Sequence, residues 1–109
     1  MKKRIATGLL LITLCTGVCA EFKDGNELMR DIESTNIVNE MVALGYVMGV
    51  ADTGLGVMHC TPPRAQAKQL VDMVHNYLRN NPSERHRAAD VLVTRALSAV
   101  WPCARRNPT

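Results

Sequence analysis

The first twenty residues constrain this chain most, because they are read as leaving the fold altogether. "MKKRIATGLLLITLCTGVCA" sets Lys2, Lys3 and Arg4 before an apolar run from Ile5 to about Leu14, and closes on Val18-Cys19-Ala20. A basic start, a short apolar stretch and small residues at a peptidase site read as a cleaved secretory signal peptide. The run is too short to span a bilayer comfortably. Thr16-Gly17-Val18 before Cys19 and Ile12-Thr13-Leu14 before Cys15 do not form a lipobox. The expectation is a leader at 1–20 and one exported domain at 21–109, with no membrane insertion after cleavage. Cys15 and Cys19 depart with the leader, so Cys60 and Cys103 are left to meet an oxidising compartment.

The remaining 89 of 109 residues bury a modest fraction of their surface, and a domain of that size benefits from a covalent staple. The leader also carries the charge imbalance. The full chain is formally +3, whereas residues 21–109 hold ten Lys/Arg against ten Asp/Glu. Those charges are segregated. Residues 21–52 hold seven acids and two bases, and residues 53–109 hold three acids and eight bases. A balanced, polarised molecule lacks the concentrated basic surface that nucleic acid requires, although its basic half suits an acidic protein partner.

Apolar spacing along 21–109 is helical almost throughout. Asp24 and Glu27 form a capping box for a first helix over about 25–33. Asn36 caps a second, whose inward stripe is Ile37, Met41, Leu44, Met48 and Ala51. Gly54 is expected to end it in the left-handed cap conformation. Pro62-Pro63 opens a third helix over about 64–80, with Ala67, Leu70, Val71, Val74, Tyr77 and Leu78 inward. Asn81-Pro82-Ser83-Glu84 reads as the start of the last helix, running to about Trp101. Its inward face is Ala88, Val91, Leu92, the stem of Arg95, Ala96, Leu97 and Val100. The fold class is all-α: a small four-helix domain with one disulfide.

"HCTPP" at 59–63 is the first candidate for chemistry. A catalytic thiolate needs an oriented histidine and a substrate pocket, and adjacent loop residues rarely face one another. A zinc site from Cys60, Cys103 and two of His59, His75 and His86 lacks the short ligand spacing of closed sites. A Cys60–Cys103 disulfide is the favoured reading, with His59 incidental. Asp52-Thr53-Gly54 matches the aspartic-protease tripeptide, but it ends a helix with no strands around it and reads as helix termination. Gly45 and Gly49 lie four apart, and a close approach by another helix or a partner backbone would explain them. "RNNPSERHR" at 79–87 is either a solvated, capped turn or a protruding recognition loop. No metal or cofactor site is expected.

The order of motifs is more specific than any one of them. "FKDGNEL" at 22–28, "LGYVMGVAD" at 44–52, "CTPP" at 60–63, "QLVDMVHNYLRNNPSERHRAADVLVTRAL" at 69–97 and "VWPC" at 100–103 follow in series. Together they resemble the Rap/Tai family of immunity proteins, which protect bacteria against amidase toxins delivered by type VI secretion. The resemblance covers essentially all of 22–103. It implies a small periplasmic helical protein, not an enzyme, that blocks the cleft of a peptidoglycan amidase effector, often as a homodimer. By position, Ser83, Glu84, Arg85 and His86 match the inhibitory segment, and Cys60 and Cys103 match the C-terminal disulfide of the family. Relatives commonly carry a further cysteine pair where this chain has Met29-Arg30-Asp31-Ile32 and Met41-Val42-Ala43-Leu44. The first helix is therefore expected to rely on packing through Phe22, Leu28 and Ile32, and to be the looser end. Two other readings are a small acid-stress chaperone, for which three histidines would serve as a switch, and an accessory subunit of an envelope complex.

Overall fold

The computed structural model describes residues 22–104. The leader read at 1–20 lies outside them. Four helices carry the described chain: α1 (Gly25–Glu33), α2 (Ile37–Gly54), α3 (Ala67–Asn80) and α4 (Ala89–Val100). None of them is long and apolar enough to cross a membrane.

α1 starts where local chemistry requires it. Asp24 Oδ1 accepts from the Glu27 amide at 2.8 Å, and the Glu27 carboxylate accepts from the Asp24 amide at 3.1 Å. These bonds satisfy two donors at an otherwise open helix end. Leu28 is fully buried, but Phe22 is 86% exposed and contributes no packing. The expectation that α1 is held by packing alone is corrected by its backbone. The Gly25 and Asn26 amides donate to the Arg87 and Arg85 carbonyls, each at 3.0 Å, and the Ala89 amide donates to the Lys23 carbonyl at 2.9 Å. The Lys23–Asp31 ion pair, at 2.7 Å, closes over the same end.

α2 is the longest of the four and, like the others, packs against the remaining three. Its buried line is Ala43, Val47, Ala51 and Gly54, not the predicted stripe. Ile37 and Met41 face solvent, whereas Leu44 and Met48 are half-buried. α2 is apolar on every side, so periodicity has no polar face to orient it. Tertiary contact with the other three helices selects the side, and no local pattern in the sequence does. Gly45 and Gly49 do not mark a close approach within the monomer: a Cβ at either would meet nothing within 4 Å.

α3 begins at Ala67 rather than at the predicted 64. Pro62 cannot be helical ahead of Pro63, and the pair instead forms a turn in which the Ala65 amide donates to the Pro62 carbonyl at 3.0 Å. Leu70, Val74 and Leu78 are buried, as the spacing predicts, with Val71 and Tyr77 packed at their flanks. α4 also starts late. Pro82–Glu84 makes a single 3-10 turn, and Ala88 is extended, bridging to Asp24. The inward face moves with that start, to Ala89, Leu92, Val93, Ala96 and Leu97. Ala88, Val91 and Val100, predicted inward, are exposed.

Cys60 and Cys103 are joined, 43 residues apart in sequence. Beside the bridge the Cys60 amide donates to the Trp101 carbonyl at 2.8 Å. Closing a loop of that length removes about 4 kcal/mol of unfolded-state entropy. The Cys103→Ser variant should melt at least about 10 °C below the oxidised native protein, given roughly 4–8 °C per kcal/mol at this size. Differential scanning calorimetry checks this, and equal melting temperatures would remove the staple from the account. Gly25→Ala should destabilise as well, because its Cβ would stand 2.5 Å from Leu92 Cδ1 and 2.8 Å from the Arg85 carbonyl oxygen.

Candidate functional site

The α3–α4 junction is held by interlocking backbone groups. α3 ends when Asn81 leaves helical geometry (φ −128°, ψ 61°), and Asn81 Nδ2 donates to the Tyr77 carbonyl at 2.8 Å. The chain then turns tightly. The Glu84 amide donates to the Asn81 carbonyl at 3.0 Å, and the Arg87 amide to the Glu84 carbonyl at 2.9 Å. Arg85 folds back so that Nε donates to the Leu78 carbonyl at 2.8 Å. The Leu78 carbonyl, in the last turn of α3, thus accepts twice, from this guanidinium and from the Asn81 amide at 3.4 Å. Glu84 accepts from Arg87 Nε at 2.6 Å and from Arg95 Nη1 at 3.0 Å. These surface pairs add little energy singly, but they fix where the carboxylate points.

The four residues matched to the inhibitory segment therefore lie in one turn with different tasks. Ser83 and His86 are exposed, and neither makes a side-chain hydrogen bond to another described residue. Glu84 and Arg85 are half-buried and engaged with the fold. The amino end of α1 is bonded to the Arg85 and Arg87 carbonyls, so the turn is buttressed from a third side. Nearby, Tyr46 packs from α2 toward Asp90 in the first turn of α4. Burial, and then the Asp90 carboxylate, push its phenol above the ordinary 10.0, which keeps it a neutral group.

The opposite end of the bundle holds a residue that sequence reasoning misjudged. His59, read as incidental, is 1% exposed and belongs to the core. Its Nε2 lies 2.9 Å from the Ala51 carbonyl and its Nδ1 2.8 Å from Thr61 Oγ1. A carbonyl only accepts, so Nε2 carries a hydrogen and donates it, while Nδ1 is hydrogen-bonded to the Thr61 hydroxyl. Both ring nitrogens are thus employed in structure. The disulfide takes both thiols that the zinc and thiolate readings required. Among the described residues no three His, Cys, Asp or Glu side chains stand together. The left-handed glycine is Gly56 (φ 85°), not Gly54 as predicted. Gly54 remains in α2, where its carbonyl accepts from Val57 at 3.1 Å and from Met58 at 2.7 Å.

A family model described as Rap1a immunity proteins matches residues 7–103. No curated protein matches the chain.

The division of labour in the junction can be measured. Arg85→Met should cost about 1–2 kcal/mol by removing the charged donor from the Leu78 carbonyl, whereas Ser83→Ala should stay within about 0.5 kcal/mol of native. His59→Leu should cost about 1–3 kcal/mol, because it leaves the Ala51 carbonyl unpaired. Urea unfolding of the three variants checks these values, and equal midpoints for Arg85→Met and Ser83→Ala would contradict the assignment.

Proposed function

The chain belongs to the Rap1a immunity protein family, and we propose on that premise that it is a periplasmic inhibitor of a peptidoglycan amidase toxin delivered by type VI secretion. Family membership supports an immunity protein for a secreted toxin, and the inhibitor is read as non-catalytic. The amidase target comes from the resemblance of its motif series, and the periplasmic site from the signal-like leader at 1–20. The observation that carries the reading is the rigid α3–α4 junction. An inhibitor that occludes a cleft must hold its shape there, and a turn already ordered loses little entropy on binding. Ser83 and His86 are the side chains this turn leaves free for a partner, while Glu84 and Arg85 keep its geometry.

The same reading includes a second copy of the chain. Val38, Val42, Gly45 and Gly49 recur at helical spacing along α2, and all four are exposed. Ile37 and Met41 extend this apolar side, which a dimer would remove from water.

Isothermal titration against purified candidate peptidoglycan amidases of the same bacterium tests the proposal. Ser83→Tyr and His86→Glu should each weaken binding at least about tenfold with melting temperatures unchanged. Native affinity in both would sink the junction as the contact. In sedimentation velocity, Val42→Glu should run as a monomer where the native protein runs as a dimer.

A further inference from the structure

The loop from Gly54 to Cys60 carries large apolar side chains into solvent on a backbone with little freedom. Leu55, Val57 and Met58 are 53%, 79% and 55% exposed. Beneath them the Gly54 carbonyl gathers the Val57, Met58 and His59 amides, and the Gly56 amide donates to the His59 carbonyl at 2.8 Å. His59 anchors the loop inward through Ala51, and Cys60 anchors it to the end of α4 through its disulfide and the Trp101 carbonyl. A flexible apolar loop would fold its side chains onto the nearest core. This one is held away from it.

We propose that this loop is an apolar anchor for the toxin, a preformed knob that seats in a hydrophobic recess of the partner protein. The inference rests on the immunity reading and deepens it by naming a second contact. Interface energy concentrates in a few desolvated anchors, and ordering the anchor beforehand removes much of the cost of burying it. Chemistry argues against a lipid partner. No charged residue lies between Gly54 and Pro63, whereas stable surface attachment to a membrane needs a basic cluster or a second signal beside the apolar one. Geometry argues against a second copy. Three side chains on a convex tip bury far less than the roughly 800 Å² per partner of a stable interface. Seating the tip in the groove between α2 and α3 of another copy would make a head-to-tail contact that need not close. The loop and the Ser83 turn lie at opposite ends of α3, whose 14 residues span about 21 Å. A standard interface is wide enough to reach both.

The test is titration of the candidate peptidoglycan amidases of the same bacterium with native protein, Val57→Glu and Val57→Ile, beside Ser83→Tyr as a junction control. Val57 packs against nothing essential, so both variants should melt with the native protein. Val57→Glu should bind about 100-fold more weakly and Val57→Ile within about threefold of native. If native protein binds and Val57→Glu binds equally well, the loop is not an anchor and the immunity reading stands. If native protein does not bind, the immunity reading falls and takes this inference with it. Phosphatidylethanolamine–phosphatidylglycerol vesicles and sedimentation velocity complete the set. Vesicle binding or self-association that Val57→Glu abolishes, with its amidase affinity unchanged, would assign the loop to lipid or to a second copy and overturn the proposal.

Discussion

His59 and Cys60 are held in opposite directions, and the lower end of the bundle depends on that pair. His59 reaches inward to the last turns of α2, with a ring nitrogen 2.9 Å from the Ala51 carbonyl. Cys60 reaches across to the end of α4, both through sulfur and through its amide on Trp101. Adjacent side chains on an extended segment point to opposite sides, so one dipeptide can join the core to the periphery. Without it, Leu55, Val57 and Met58 would be an unanchored apolar loop, and the ends of α2 and α4 would lose their shared boundary. The disulfide limits the unfolded chain, and the histidine gives the folded one a defined corner.

The upper end is fixed by different means. No covalent link reaches α1, yet its first two amides and the Lys23 carbonyl are bonded to the segment between α3 and α4. Gly25 lets the two backbones approach, since any Cβ there would strike both Leu92 and the Arg85 carbonyl. α1 is therefore part of the junction it supports. Both ends of the molecule thus present ordered elements, one polar and one apolar, on a core of aliphatic side chains.

Features decided by neighbouring residues were legible in the sequence. The Asp24–Glu27 box placed α1, reading 1–20 as a leader left Cys60 to pair with Cys103, and the spacing of Leu70, Val74 and Leu78 oriented α3. What was not legible depends on distant contacts. The start of α4 is displaced to Ala89 because α1 takes the Arg87 carbonyl and the Ala89 amide, and no local signal reports that. α2 hides its orientation because all its sides are apolar. His59 carries no mark of burial, since its partner carbonyl lies eight residues away. At the candidate site the sequence located the turn. It could not separate Ser83 and His86, which face outward, from Glu84 and Arg85, which hold the turn in place.

The binding surfaces of this protein are shaped before a partner arrives. Its chemistry is that of exclusion: cysteines closed in a bridge, a histidine committed to the core, and exposed groups fixed on short, hydrogen-bonded turns. The direct measure of such a role is inhibition rather than association. Under the proposed function, peptidoglycan hydrolysis by an amidase effector of the same bacterium should fall steadily as the protein is added and cease at a stoichiometric ratio. Full hydrolysis in the presence of a large excess of the native, oxidised protein would contradict the account.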